Sequence, residues 1–267
     1  MSSVCHCLIN RISFALLLLS GAFSVAHAQS TDSTKPAPHR DRIESFYMTA
    51  YTGTTTAQSS DVRIMQPSIG TDATYHSVDW LAHSFTGSPY WGVKVGYYLP
   101  KTPRVSLELE YNHAKVYAKV GESKLLTGVW EGQPVDDVEP MIDRVGEYRI
   151  TNGINTFAFN GVYRIPISVS EHYPEGRWQP YVGGGPEYFL LYSINNINGK
   201  SNKHEYHPSG WGWQVFTGVR YLLTPRFGLY AETKYQDGDA HSILPDDGRG
   251  DTDLHLTHYD GGVYYQF

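Results

Sequence analysis

Beyond residue 28 the chain has no cysteine, since Cys5 and Cys7 are the only two. Both lie in a segment built as a secretory signal. Arg11 gives the positive n-region, residues 12–25 the apolar core, and Ala26-His27-Ala28 the small-x-small site before Gln29. A mature chain without cysteine excludes a disulfide framework, although export would permit one. Neither cysteine has a lipobox-like setting, which argues against lipidation. No run beyond the signal approaches the roughly 20 apolar residues of a spanning helix, so any crossing of a membrane falls to strands. Basic stripes are also missing. Formal net charge is -6, and loss of Arg11 with the signal makes it -7, a poor composition for binding nucleic acid. Histidines 76, 204, 207, 255 and 258 show no metal-ligand spacing, so neither a metal nor a cofactor is expected.

What the chain does have is aromatic residues, 14% of the sequence, with 21 Tyr and 6 Trp. Such rings suit interfaces that are apolar at one end and wet at the other. Residues 29–43 are Ser/Thr/Pro-rich and charged and read as a disordered lead-in. Residues 44–267 have a length suited to one all-β domain.

Eight alternating segments can be placed: 44–53, 90–99, 105–117, 154–167, 180–193, 211–223, 227–236 and the terminal strand. Segments of about ten residues with a two-residue period are the transmembrane-barrel pattern. Residues 100–104 and 224–226 are tight Pro-containing turns, and 168–179 is intermediate. The connections 54–89, 118–153, 195–210 and 237–253 are long and polar. Short turns at one rim and long loops at the other fit an antiparallel up-and-down barrel with short periplasmic turns and long extracellular loops.

Sidedness separates this from an exported lipocalin-like barrel, which keeps an apolar ligand inside. Lys94, Arg164, Arg220 and Lys234 share one strand face with Glu108, Glu110, Glu187, Glu232 and Asp260. The opposite face is Val, Leu, Ile, Phe, Tyr and Trp. A charged lumen with an aromatic exterior implies lipid outside, because Arg or Lys at a lipid-facing midplane costs about 2–4 kcal/mol. In the last strand Tyr259, Val263, Tyr265 and Phe267 take the apolar face, and His258, Asp260, Gly262, Tyr264 and Gln266 the polar one.

The pattern Asp260-x-Gly262-x-x-Tyr265-x-Phe267 resembles the C-terminal assembly signal of bacterial outer-membrane barrels. Gln179–Pro186 (QPYVGGGP), residues 212–223, residues 229–235 and the last strand look like the eight-stranded OmpA-like/opacity-type family. The resemblance covers roughly residues 46–267 and departs from full-length OmpA by ending at the barrel, which implies no peptidoglycan-binding domain. It implies location in the outer membrane, contact with its lipid and lipopolysaccharide, passage through the barrel-assembly machinery, and a monomer. It says little about biochemical role.

The charge set would form a salt-bridged plug that specifies register; a narrow ion path is the alternative. A lipid A-modifying enzyme needs a hydroxyl beside a histidine. His207-Pro208-Ser209, His241-Ser242 and His83-Ser84 are the candidates, in a loop or as adjacent residues that point apart, so no catalytic residue is assigned. Arg249-Gly250-Asp251 in the last long loop offers an integrin-type tripeptide, which acidic Gly-rich loops generate readily by chance. Asp246, Asp247, Asp251 and Asp253, with Asp136, Asp137, Glu139 and Asp143, are carboxylate groups without EF-hand spacing. The long loops are where an extracellular ligand would be met.

Overall fold

The computed structural model describes residues 45–267; the expected signal peptide, the expected lead-in and Glu44 lie outside the described residues. In chain order the strands are β1 (Phe46–Ala57), β2 (Ser60–Gln66), β3 (Thr71–Val78), β4 (Trp80–Ala82), β5 (Trp91–Leu99), β6 (Thr102–Ala118) and β7 (Ser123–Trp130). They continue with β8 (Gln133–Pro140), β9 (Val145–Arg164), β10 (Trp178–Ile197), β11 (Lys200–Ser201), β12 (Tyr206–Leu222), β13 (Phe227–Ile243) and β14 (Arg249–Gln266).

Eight of these close a ring. β1, β5, β6, β9, β10, β12, β13 and β14 pair antiparallel in that order, and β14 returns to β1 from Tyr47↔Gln266 to Ala57↔Leu256. Closure leaves the ring no unpaired edge. The alternation expected from the sequence sets which side chains point outward. Leu109, Phe159, Trp211, Leu229 and Val263 are exposed, while Lys94, Glu108, Arg220 and Lys234 are buried inside. Two aromatic belts mark the wall. Trp91, Tyr111 and Phe157 stand 5.2 and 5.3 Å apart in sequence of contact at one level. At the other, Phe46–Tyr97, Trp178–Tyr221 and Tyr265–Phe267 pair at 4.8, 4.5 and 5.2 Å.

Glycine has a specific task on β5. A Cβ at Gly96 would lie 2.0 Å from the Tyr47 ring, and one at Gly92 2.2 Å from Tyr51. Only a bare backbone lets these two rings lie flat against the neighbouring strand.

The connections depart from the expectation of polar loops. β9, β10, β13 and β14 all extend beyond the predicted segments, and the first two long connections contain strands. β2 pairs with the upper part of β14 through Val62↔Thr252 to Met65↔Arg249. β3 pairs with β2, β7 with β3 and β8 with β7, while β4 caps β6. The result is an extracellular β-lobe with its own core: Val62, Ile64, Tyr75, Trp80, Leu126, Trp130, Met141 and Tyr148 are all buried. Tyr75 meets Trp130 at 6.3 Å and Trp80 meets Tyr148 at 5.9 Å. Each such side chain contributes roughly 1.5–3 kcal/mol on burial, enough to order segments whose other face is polar.

β8 is the outermost strand of the lobe among those described. A two-residue turn at Glu131-Gly132, with φ of 50° and 79°, joins it to β7. From this turn alternate residues point their backbone away from β7: Pro134, Asp136, Val138 and Pro140. Two of the four have no N–H, and the Val138 N–H is taken by the Asp137 carboxylate at 2.8 Å.

Candidate functional site

Alternation on eight strands delivers the ionisable side chains to one lumen, where they form tiers. Nearest the tight turns, the Arg164 guanidinium lies 3.7 Å from the Tyr98 ring centre and 2.6 Å from Glu175. It also donates to Gln179 and to the Pro103 carbonyl. Above it, Arg220 stands among Tyr181, Tyr47 and Tyr264 at 4.5, 4.7 and 5.0 Å from their ring centres. Arg220 donates to the Tyr98 hydroxyl at 2.8 Å and is 3.8 Å from Glu108.

The next tiers hold the two lysines. Lys94 is 2.8 Å from Glu232, 3.6 Å from Glu108 and 3.8 Å from Glu110. Lys234 donates to Glu110 and, at 3.0 Å, to the Tyr51 hydroxyl; Asp260 and Glu232 lie 3.8 and 3.9 Å away. Amides join the groups: Asn160 donates to Glu108 and Glu110, and Gln214 to Glu110. His258 bridges Thr55 and Gln236 at 2.9 Å each and stacks on Tyr90. Above this polar column Phe189, Leu191, Ile154 and Leu256 are fully buried and form an apolar roof.

Eight of the nine predicted lumen charges thus meet an ion partner. Two details differ from the sequence reading. Arg164 is matched by Glu175 from the periplasmic turn, not by a strand carboxylate. Glu187 is buried but accepts from Gln236 at 2.9 Å and has no cation within salt-bridge distance among the described residues. Sequence reasoning missed the tyrosines 47, 51, 98, 181 and 264, whose hydroxyls and ring faces share in holding the cations. Their inward parity was legible; their polar task was not.

The other candidates resolve differently. Ser209 bonds the backbone of His241, not an imidazole, and His207 meets the His241 carbonyl. Ser84 accepts from the Thr55 N–H and His83 faces Thr86. Ser242 is buried, and its hydroxyl meets no imidazole among the described residues. None of the three predicted pairs joins an imidazole to its serine. Arg249 and Asp251 sit in β14, paired on both sides, and bond each other at 2.6 Å with His241 on the same carboxylate. The tripeptide is therefore a strand segment and not a loop tip. Among the described residues, no group of three His, Cys, Asp or Glu side chains is placed to hold a metal ion. Within the lobe Asp79 accepts from Lys124 at 2.6 Å and from Ser59; these bonds hold its carboxyl well below the usual range.

At the terminus Tyr265 and Phe267 face outward, Asp260 faces the lumen and Gly262 lies against Tyr230 and the β1 backbone. The Phe267 N–H closes on the Phe46 carbonyl at 3.0 Å.

The family model described as outer membrane protein beta-barrel domain matches residues 15–267. No curated protein matches the chain. Among solved structures, OprG of Pseudomonas aeruginosa is similar at 15% identity, with TM-score 0.50, covering 84% of this chain and 96% of its own. Neisserial surface protein A is similar at 13% identity, TM-score 0.41, with 84% and 97% covered. The outer membrane protease OmpT of Escherichia coli is similar at 10% identity, TM-score 0.38, with 89% and 100% covered. At such identities the likeness concerns the fold alone.

Proposed function

The chain belongs to the outer membrane protein beta-barrel domain family, and from that premise we propose a sealed structural barrel whose outside contacts run through its extracellular lobe. The observation that carries this reading is the bridging of the lumen by buried ion pairs: Lys94 to Glu232 and Lys234 to Glu110. An eight-stranded barrel is only wide enough for side chains to fill. The ion tiers occupy that width, and the apolar roof adds a second closure above them. The lobe, with its mixed polar outer face, is the surface we assign to any extracellular ligand and to lipopolysaccharide.

The last strand, through Asp260, Gly262, Tyr265 and Phe267, is proposed as the signal read by the assembly machinery. Phe267→Ala should lower the yield of inserted barrel in cells while leaving refolding into detergent intact; equal yields would remove the assignment. Single-channel recording on the refolded protein in a planar bilayer tests the sealed lumen. No discrete steps are expected from the wild type. Steps that change size in Glu232→Gln would establish an ion path instead.

A further inference from the structure

Three polar side chains on the outer wall form a hydrogen-bonded chain that the lumen does not use. Ser88, between β4 and β5, places its hydroxyl 3.0 Å from Nε2 of His113 on β6. Nδ1 of that ring lies 3.1 Å from Oδ1 of Asn155 on β9. Proton positions follow from Asn155. Its Nδ2 points to the carbonyls of Leu190 and Gly153 at 3.3 and 3.5 Å, and its Oδ1 accepts from the Tyr111 hydroxyl at 2.6 Å. An amide oxygen only accepts, so His113 carries its proton on Nδ1. Nε2 is then bare and receives the Ser88 O–H. This is the tautomer a general base requires. His113 and Asn155 are buried, whereas Ser88 is exposed. A hydroxyl nucleophile, an imidazole base and a group orienting that base stand in order.

The surroundings point to a lipid. Alternation puts His113 on the lipid-facing side with Leu109 and Tyr111. Trp91 touches both Tyr111, at 5.2 Å, and His113, at 6.4 Å. Belt aromatics sit at headgroup level. At about 3.4 Å per residue along a tilted strand, His113 lies on the order of 5 Å above Tyr111. That is where acyl chains join headgroups. Phe85, on the same segment as Ser88, is 71% exposed. Lys115 is the next outward residue on β6, and its ammonium donates to the Thr86 carbonyl, two residues before Ser88. Lys115 is buried and has no carboxylate within salt-bridge distance among the described residues. A Cβ on Gly87 would lie 3.5 Å from that ammonium, so the cation is held along the segment that carries Ser88, where it could stabilise the oxyanion that forms on an attacked carbonyl.

We propose that Ser88 and His113 are the catalytic pair, and Asn155 the positioning residue, of an esterase acting on fatty-acyl esters of outer-leaflet lipids. Ser88 Oγ attacks the ester carbonyl carbon as its proton passes to His113 Nε2. The ester C–O bond breaks and His113 returns the proton to the leaving alcohol. Water then attacks the acyl-serine with His113 again taking the proton, which returns to Ser88 Oγ as the fatty acid leaves. Glycerophospholipids and lipid A both present such esters. The site depends on the outer-membrane location and not on a sealed lumen; a conducting wild-type barrel would leave it standing.

The test uses the mature protein refolded in detergent, with folding verified by heat-modifiability. It is given mixed micelles of diacyl phosphatidylethanolamine in one arm and of lipid A in the other, and released fatty acid is read by mass spectrometry. Wild type should release fatty acid, with Ser88→Ala and His113→Ala at least 100-fold slower. Release in one arm alone assigns the substrate. Asn155→Asp, which keeps the acceptor, should retain activity. Asn155→Leu should lower kcat by orders of magnitude at unchanged KM and shift the acid limb of the pH profile. A fluorophosphonate should label wild-type Ser88, a readout that needs no variant. Absence of both labelling at Ser88 and fatty-acid release from folded wild type overturns the proposal, as does release that survives Ser88→Ala.

Discussion

Removing the Lys234 ammonium should be among the most damaging single changes in the lumen. Lys234 is fully buried and faces Glu110, Glu232 and Asp260, all within 3.9 Å. One pair at about 4 Å is worth roughly 4 kcal/mol at an effective dielectric constant of 20. Part of this only offsets desolvation, and Lys94 still serves Glu110 and Glu232 after the change. Breaking a buried pair typically costs about 3–5 kcal/mol, and that is the loss expected for Lys234→Met. Urea unfolding of the barrel in lipid vesicles, followed by tryptophan fluorescence, reads it out. With a slope of about 1–3 kcal/mol per molar, the midpoint should fall by at least about 1 M. Asp260 has no other cation within salt-bridge distance among the described residues, so Lys234→Met combined with Asp260→Asn removes the anion left behind and should recover part of the loss. A single variant within about 1 kcal/mol of wild type, or a double variant no better than the single, would refute the reasoning.

Three further outcomes follow from the wall and the lobe. Gly96→Ala drives a Cβ to 2.0 Å from the Tyr47 ring, and overpacking of this kind costs about 1–3 kcal/mol; the same urea midpoint checks it. Leu109→Arg places a cation on the lipid-facing wall and should cost up to about 2–4 kcal/mol in vesicles, with a smaller loss in a detergent that lets the side chain reach water. Asp79 has a folded-state pKa depressed by Lys124 and Ser59. Its stabilisation is therefore complete above the unfolded value of about 4 and is lost as pH falls below it toward the folded value. Protection of amides around Asp79, taken relative to the intrinsic exchange rate at each pH, should fall below about pH 4 in wild type and be insensitive to that step in Asp79→Asn.

The ring was legible because lipid and lumen impose opposite chemistry on alternate residues, so Lys94, Glu108, Arg220 and Lys234 could be given a side from parity alone. Which cation meets which anion was not. Pairing across the lumen depends on the stagger between strands that do not neighbour each other, as when Lys94 on β5 reaches Glu232 on β13. The lobe was hidden for a different reason. In β2 and β3, Val62, Ile64, Ala73 and Tyr75 alternate with Asp61, Arg63, Asp72 and Thr74. The polar half of that pattern dominates the composition, so the segments passed for loops. Ser88, His113 and Asn155 come from three separate parts of the chain, and no local spacing joins them. Adjacent pairs such as His241-Ser242 drew attention because they were close in sequence, yet a strand turns adjacent side chains apart.

An outer membrane is crowded, and a β-lobe standing above it meets copies of itself at high local concentration. A ring has no edge to offer, but β8 does. Pro134, Pro140 and the Asp137 carboxylate on the Val138 N–H leave Asp136 as the remaining outward donor along that strand. A neighbouring chain would find one amide where a ladder needs a repeated series. The β7–β8 hairpin can therefore present Leu125, Val129 and Val138 to the outside without templating fibrous association. Evolution of this surface toward new contacts is free to vary side chains, so long as the two prolines stay.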